Sequence, residues 1–593
     1  MATKGAVLAN ATIAIADNFS QKDFSQEDLI TRNEKEIAEN PDDTDKNAQL
    51  GVRKAEAAAL VWSKPALYGI YAWIWICFLI YYFMGALDFQ LRFYLYSTFY
   101  AAPQVTQANL VAGIIGGVIG VPISKLLNTW GRAEAFVMLI TIYTIGLAAL
   151  AGCTGPASYA AGNVFFSLGG GSIFFILNIF VADTSGLYNR AILIGITNLT
   201  TYITSLAGPP IVTMFLNNQT WRWAYGSFAI IVPVTMLPLA GVLKMYQKKA
   251  EAKGIYVHAP KVERTIVQSI WHYTVEFDFI GAFLLAASFM AMLLPFTLHG
   301  YVDASYNSAK FIVPLVVGVL LFPVFVLWEC YGLPNKTGKY YIRWELLKNR
   351  TIFGACMLGG ITFFNSWAWD SYFYFYIMVV YNYSPTRTAY ATLANGFVAT
   401  AVQIVMGLWI RRSKHFKAVC LWFGVPISII GAGLLIKFRS NDYSIGLNIL
   451  AQIFIGLGWG TLLLGYELAA YAASDRDGIP MVYALIGLSC TVFSSIAQAV
   501  VTAIYNSTFP AALLRSLPPD TVGDYMTIMQ GGSYTQMMYP VGSDTRNAIN
   551  YAWGESQKYL CILAAAIMIP AFPAIWIWKD YRVDRQQVKG NVL

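Results

Sequence analysis

The sequence predicts an all-α membrane protein with fourteen transmembrane helices, and three observations carry the prediction. Of its 593 residues, 57% are hydrophobic and only 12% charged, whereas charged residues make up about a quarter of an ordinary soluble domain. From Pro65 onward, apolar runs of about 20 residues, the length that spans a bilayer as a helix, follow one another with short gaps of turn chemistry such as Thr154-Gly155-Pro156. The basic residues favour alternate gaps. With both termini in the cytoplasm the inner gaps hold 19 Lys and Arg and the outer gaps 9, the bias of the positive-inside rule. An odd number of spans would put the cluster Arg411-Arg412-Ser413-Lys414 opposite the other basic gaps.

The fourteen runs lie at 65–87, 104–127, 133–153, 158–182, 190–215, 223–245, 277–298, 310–331, 351–379, 386–410, 416–437, 444–471, 479–505 and 557–578. Two longer inner stretches divide them into six, two and six. The domains expected are therefore a cytoplasmic tail, 1–64; a first six-helix bundle, 65–245; a cytoplasmic linker, 246–276; two extra helices, 277–331; a cytoplasmic loop, 332–350; a second bundle, 351–578; and a cytoplasmic tail, 579–593. The tail 1–64 is polar and without an apolar core segment, so it reads as disordered or loosely helical and not as a cleavable signal peptide. In the linker, Ile266, Ile270 and Tyr273 recur at helical spacing among basic residues, as in a helix lying on the inner leaflet. One outer loop is long, 506–556, and its apolar and aromatic content reads as a lid.

Other classes are poorly supported. The net charge of +8 is spread over membrane loops, so no nucleic-acid partner is expected. Seven cysteines stand singly in apolar runs, and four histidines are isolated. That spacing suits neither a disulfide framework nor a zinc site. No nucleophile–base pairing points to an enzyme, and no Walker-type sequence points to ATP drive.

Three acids in or beside the apolar runs are candidates for a functional role. Asp370 sits in Ile361–Tyr381 among Trp367, Trp369, Tyr372, Tyr374 and Tyr376. A carboxylate at bilayer depth costs about 3 kcal/mol on insertion scales, so it faces a cavity or a partner. Glu467 follows Tyr466 near mid-membrane in the twelfth run, downstream of Gly456, Gly458 and Gly460, which allow close helix approach. Asp88 ends the first run four residues before Arg92, a spacing that pairs them on one helix face. Proton coupling is expected of Glu467 and Asp370 ahead of Asp88. Glu329, at a helix end, reads as solvated. Cargo contact is expected of Arg92, Tyr94, Trp369, Tyr372, Tyr376 and Tyr466.

Between the second and third runs stands Asn128-Thr129-Trp130-Gly131-Arg132. It resembles the D-x-x-G-R signature of the major facilitator superfamily, with Asn in place of the usual Asp. Asp183 is the expected partner of Arg132, and with Arg190 they form a candidate inner gate. Further stretches sharpen the resemblance: Leu87-Asp88 with Arg92, Tyr94 and Tyr96; Ala207-Gly208-Pro209-Pro210; Trp221-Arg222-Trp223-Ala224-Tyr225-Gly226; Trp369-Asp370-Ser371-Tyr372-Phe373; and the long last outer loop. Together they resemble the fungal siderophore–iron transporters, fourteen-helix proton symporters of that superfamily. The resemblance implies import of ferric hydroxamate-type chelates, usually at the plasma membrane, with vacuolar or endosomal membranes used by some relatives.

The residues agree with that expectation. A carrier of bare iron needs clustered oxygen, nitrogen or sulfur ligands; a chelated iron presents an organic surface suited to aromatic faces and hydroxyls. Iron is thus cargo, no resident cofactor is expected, and the expected partners are ferric siderophore, protons and membrane lipid. One proton moving inward through 100 mV gains about 2.3 kcal/mol, and each unit of outside-acid gradient adds about 1.4. The rival readings are a fourteen-helix proton antiporter exporting a drug or a metabolite such as glutathione, a haem transporter, and a non-transporting siderophore receptor. Antiporters of that type usually follow the fifth-run Gly-Pro with another Gly pair, and here Gly208-Pro209 is followed by Pro210-Ile211-Val212.

Overall fold

In a computed structural model, residues 50–98, 102–218, 221–255, 265–298, 307–439, 443–475, 478–530 and 532–583 are described. Among them every regular element is a helix. Thirteen are long and apolar enough to cross a membrane. The segments are numbered here in their expected order.

Segments 1 to 6 are Lys64–Thr98, Ala102–Thr129, Arg132–Ala151, Pro156–Thr184, the pair Leu187–Asn198 and Thr200–Asn217, and Trp221–Ala252. Segments 7 and 8 are Phe279–Leu298 and Ala309–Tyr331. Segments 10, 12 and 13 are Ala394–Ser413, Ile445–Ala472 and Ile479–Ser516; segment 11 ends in Val425–Phe438, and segment 14 begins with Asp544–Ile567. Segment 9 is the one expected run that falls short in apolarity, because Arg350–Asp370 carries Thr362, Asn365, Ser366 and Asp370. It is also broken. Ser371 Oγ donates to the Trp367 carbonyl at 2.5 Å, the kind of back-bond that bends helices, and a second helix, Phe373–Val380, follows. Protein covers the polar groups of the first half: Asn365 Nδ2 donates to Ala564 O at 2.7 Å and Thr362 Oγ1 to Leu358 O at 2.6 Å.

Segments 1 to 6 pack together, as do segments 9 to 14. The two bundles meet where segment 2 lies on segment 13 and segment 5 on segment 10. Within the second bundle, a Cβ on Gly456 or Gly460 would collide with the backbone of Asn395 or Ala399 on segment 10. Those glycines set the close approach of segments 10 and 12.

Segments 7 and 8 form a hairpin against segments 2 and 13. Its inner end is clasped to the first bundle. Lys125 Nζ donates to Tyr340 O at 2.6 Å, Tyr341 Oη to Val118 O at 2.7 Å, and Tyr341 N to Glu329 Oε1 at 2.9 Å. Glu329 is therefore not solvated at a helix end: it is fully buried, in side-chain contact with the buried Asp278.

Three other expectations need correction. The tail 1–64 is ordered at its end: Leu50–Val61 is a helix whose Ala57, Ala58 and Ala59 are buried, and Lys54 Nζ donates to Trp130 O at 2.7 Å. Residues 1–49 lie outside the described residues. The linker starts later than expected, because segment 6 runs to Ala252. After the undescribed 256–264, Ile266–Phe277 is a helix closed by a Thr265–Gln268 capping box. Its Ile266, Val267, Ile270 and Trp271 are exposed, an apolar face turned away from the protein. The long outer loop is largely helix. Segment 13 continues to Ser516, segment 14 begins at Asp544, and short helices, Tyr525–Gln530 and Gly532–Met538, lie between.

A candidate cargo and proton site between the bundles

The two bundles are joined midway by a polar bridge. Tyr82 Oη, on segment 1, donates to Asn198 Oδ1 at 2.9 Å, and Asn198 Nδ2 donates to Gln403 Oε1 at 2.7 Å, on segment 10. Beside it Tyr81 stacks on Phe174 at 5.4 Å, and Phe174 meets Tyr82 edge-on at 6.1 Å. Tyr81, Tyr82 and Phe174 are only half-buried, although they lie inside the fold. In the second bundle, Phe363 and Trp459, 5.2 Å apart, are also half-buried. Aromatic faces with a few hydrogen-bonding groups suit an organic solute.

Glu467 lies nearer the C-terminal end of segment 12, about 8 Å along the axis from Ala472. Its Oε2 is buried without a hydrogen-bond partner among the described residues. The hydroxyls within its electrostatic reach belong to Tyr82, Tyr466, Tyr471 and Tyr483. Below it a layer of side chains joins the bundles. Tyr471 stacks on Tyr483 at 6.1 Å, Tyr483 meets Phe175 of segment 4 at 5.3 Å, and the Arg190 guanidinium lies 5.1 Å from the Tyr471 ring centre.

Arg190 is fully buried and donates to Ala182 O at 2.9 Å and Ser185 O at 3.2 Å, closing the end of segment 4. Arg132 reaches Asp183 Oδ2 at 2.9 Å and donates to Leu127 O at 3.0 Å. Gly131, at φ 112, makes the turn that aims it.

Asp370 ends the first half of segment 9, about 30 Å from Arg350. Its side chain is exposed. The one charge that acts on it among the described residues is Arg439.

Asp88 is held from two sides. Arg92 Nη2 lies 2.5 Å and Nε 2.7 Å from Oδ2, and Tyr225 Oη donates to Oδ1 at 3.0 Å. The carboxylate is buried while Arg92 remains a third exposed.

The expected cargo surface is smaller than the sequence implied. Trp369, Tyr376 and Tyr466 are buried at 2%, 0% and 3% exposure. The first two pack with Phe373 inside the second bundle. Tyr372 is half-buried and stacks on Tyr505 at 4.1 Å. The Tyr94 side chain lies outside the described residues. The sequence reading missed Tyr82, Asn198, Gln403, Tyr471, Tyr483 and Arg439. A tyrosine or amide in an apolar run carries no mark of the helix it faces, and in the sequence Arg439 is one more cation of an outer gap.

No family model matches the chain. It is 46% identical over 571 residues to the siderochrome iron transporter 2 of Aspergillus fumigatus, covering 96% of this chain and 93% of that protein. The chain belongs to the siderochrome iron transporters of the major facilitator superfamily. It is also 37% identical to the MFS siderochrome iron transporter 1 of Ajellomyces capsulatus, with 92% of each chain covered. With the siderophore iron transporter mirB of Emericella nidulans it shares 32% identity, over 94% of this chain and 92% of that one. Among solved structures, the human organic anion transporter MFSD10 matches with a TM-score of 0.51 at 10% identity, covering 85% of this chain and all of that one. The protein is therefore a multi-pass membrane transporter of the major facilitator fold, and not an enzyme.

Proposed function

We propose that this transporter imports ferric siderophores across a fungal plasma membrane by alternating access, driven by protons. The named cargo of its relatives supports the substrate class. The observation that carries the coupling is Glu467: its Oε2 is buried with no hydrogen-bond partner among the described residues, between the polar bridge and the aromatic layer that joins the bundles. A buried acid without a fixed partner is suited to gaining and losing a proton as its surroundings change. In this reading the chelate rests against Tyr81, Tyr82, Phe174 and Trp459, and the iron stays inside its chelator. Asp370 receives the proton from the outer side and Glu467 holds it near the inner side. Arg132, Asp183 and Arg190 form the inner latch, and segment 9 completes the fourteen crossings.

The test is uptake in cells expressing the chain, with radio-iron supplied as a panel of ferric siderophores, as haem and as the free salt. Saturable uptake of at least one ferric siderophore, with none of the free salt, is expected. Efflux of another solute with no chelate uptake would reject the reading.

A further inference from the structure

The linker helix Ile266–Phe277 has an apolar side that the described protein covers over only half its length. Ile266, Ile270, Tyr273 and Phe277 recur at three- and four-residue steps, so they share one side. Gln268, Ser269, His272 and Glu276 take the other. The C-terminal half of the apolar side is packed. Tyr273 meets the Trp130 ring edge-on at 5.5 Å and stacks on Phe277 at 5.6 Å, and Phe277 is buried. The N-terminal half is bare: Ile266, Val267, Ile270 and Trp271 are 57% to 81% exposed.

A contiguous bare apolar face marks a binding surface, and the chain itself points to the occupant. One residue, Asp278 at φ 48, separates this helix from segment 7. A left-handed residue ends a helix and turns the chain, so the linker helix does not prolong the axis of the span. Phe277 lies edge-on to Phe279 at 5.7 Å, which joins the apolar side of the helix to segment 7, where Phe279 and Phe283 are 40% and 69% exposed. Twelve residues of helix are about 18 Å long, so no part of this one lies far from the point where segment 7 enters the bilayer. Its end is also fastened to the protein: Lys339 Nζ pairs with Glu276 Oε1 at 3.0 Å, and Lys125 Nζ donates to Glu276 O at 3.4 Å.

We infer that Ile266–Phe277 is an interfacial helix, seated with Ile266, Val267, Ile270 and Trp271 in the headgroup–acyl boundary of the leaflet that segment 7 enters, and that through Tyr273 it steadies the turn Trp130-Gly131-Arg132. The bilayer then covers what the protein leaves bare. Trp130 is held twice, its ring by Tyr273 and its carbonyl by Lys54 Nζ at 2.7 Å. The effect on the turn bears on transport through the reading of Arg132 as part of the inner latch; the lipid contact needs no part of that reading.

The test uses the full chain reconstituted in phospholipid vesicles. The exposed Cys330 is removed (C330S), the other native cysteines being buried, and a nitroxide is attached in turn to V267C, I270C and Q268C. Labels at 267 and 270 are expected to collide several-fold more with oxygen, which partitions into lipid, than with a water-soluble nickel chelate, and the label at 268 to show the reverse. Nickel access at 267 and 270 equal to that at 268 overturns the inference. Shielding from both reagents overturns it too, in favour of a protein cover such as residues 1–49 or a second copy of the chain. In a second measurement, I270D is expected to speed deuterium exchange of the backbone amides at 128–132 several-fold while leaving those at 545–565 unchanged; I270Q serves if I270D does not reach the membrane. Unchanged exchange at 128–132 overturns the hold on the turn. Neither readout involves cargo, so a chain that behaves as inferred but takes up no chelate leaves the helix assignment standing, and labels in water leave the proposed function standing.

Discussion

The acids in this membrane protein divide by whether a partner holds them. Asp88 has Arg92 and Tyr225 in contact and serves the first bundle as a strut. D88N should lower stability by about 2 kcal/mol, below the 3–5 typical of a broken buried pair because Arg92 is partly exposed. The check is the midpoint of detergent-solubilised unfolding, with the external-pH dependence of any residual uptake unchanged. Glu467 Oε2 has no such partner among the described residues. E467Q should keep expression and chelate binding while losing the response to the gradient, about tenfold in accumulation for each pH unit imposed. A variant that still follows the gradient would clear Glu467 of the role. The sequence placed both acids in apolar runs but could not tell strut from carrier. That difference lies in what segments 6, 1 and 13 bring to each carboxylate, and Tyr225 is 137 positions from Asp88.

At the scale of elements, the outer loop and the broken ninth segment form one unit. Arg546, 1% exposed, donates to Val379 O at 2.6 Å and Gln536 O at 2.7 Å, so one guanidinium fastens the end of Phe373–Val380 to the loop helix Gly532–Met538. Trp553 Nε1 adds a bond to Gln536 Oε1 at 2.9 Å. R546A should release the loop. The expected outcome is faster proteolysis between residues 516 and 544 of protein that is otherwise folded, with a several-fold rise in apparent KM. Unchanged cleavage would show that the packed apolar residues hold the loop alone. The sequence marked this stretch as a long loop with apolar content. It hid the helices because Pro518-Pro519, Gly523 and Gly531-Gly532 punctuate them into pieces too short to show a period. The inner clasp was equally hidden. Glu329 looked solvated because Tyr341, whose backbone N–H donates to it, lies beyond its helix.

At the scale of the whole molecule, what depends on composition and local motif was legible: the membrane class, the all-helical fold and the family. Segment 9 reads in the sequence as an apolar run of spanning length, while its polar residues keep it outside the apolar set. What stayed illegible was the pairing of surfaces between bundles. Tyr82, Asn198 and Gln403 are spread over three segments, and only the packing of segment 1 on segment 5 and of segment 5 on segment 10 brings them into line. The layer of Phe175, Tyr483, Tyr471 and Arg190 joins the bundles towards their inner ends in the same way. Its separation is the motion that alternating access needs. The measurement closest to the central claim is radio-iron siderophore uptake into vesicles reconstituted with the pure chain and given an outside-acid gradient. Accumulation above the external concentration that collapses when a proton ionophore is added is the result the account predicts. Equal, non-concentrative filling with and without the gradient would contradict it.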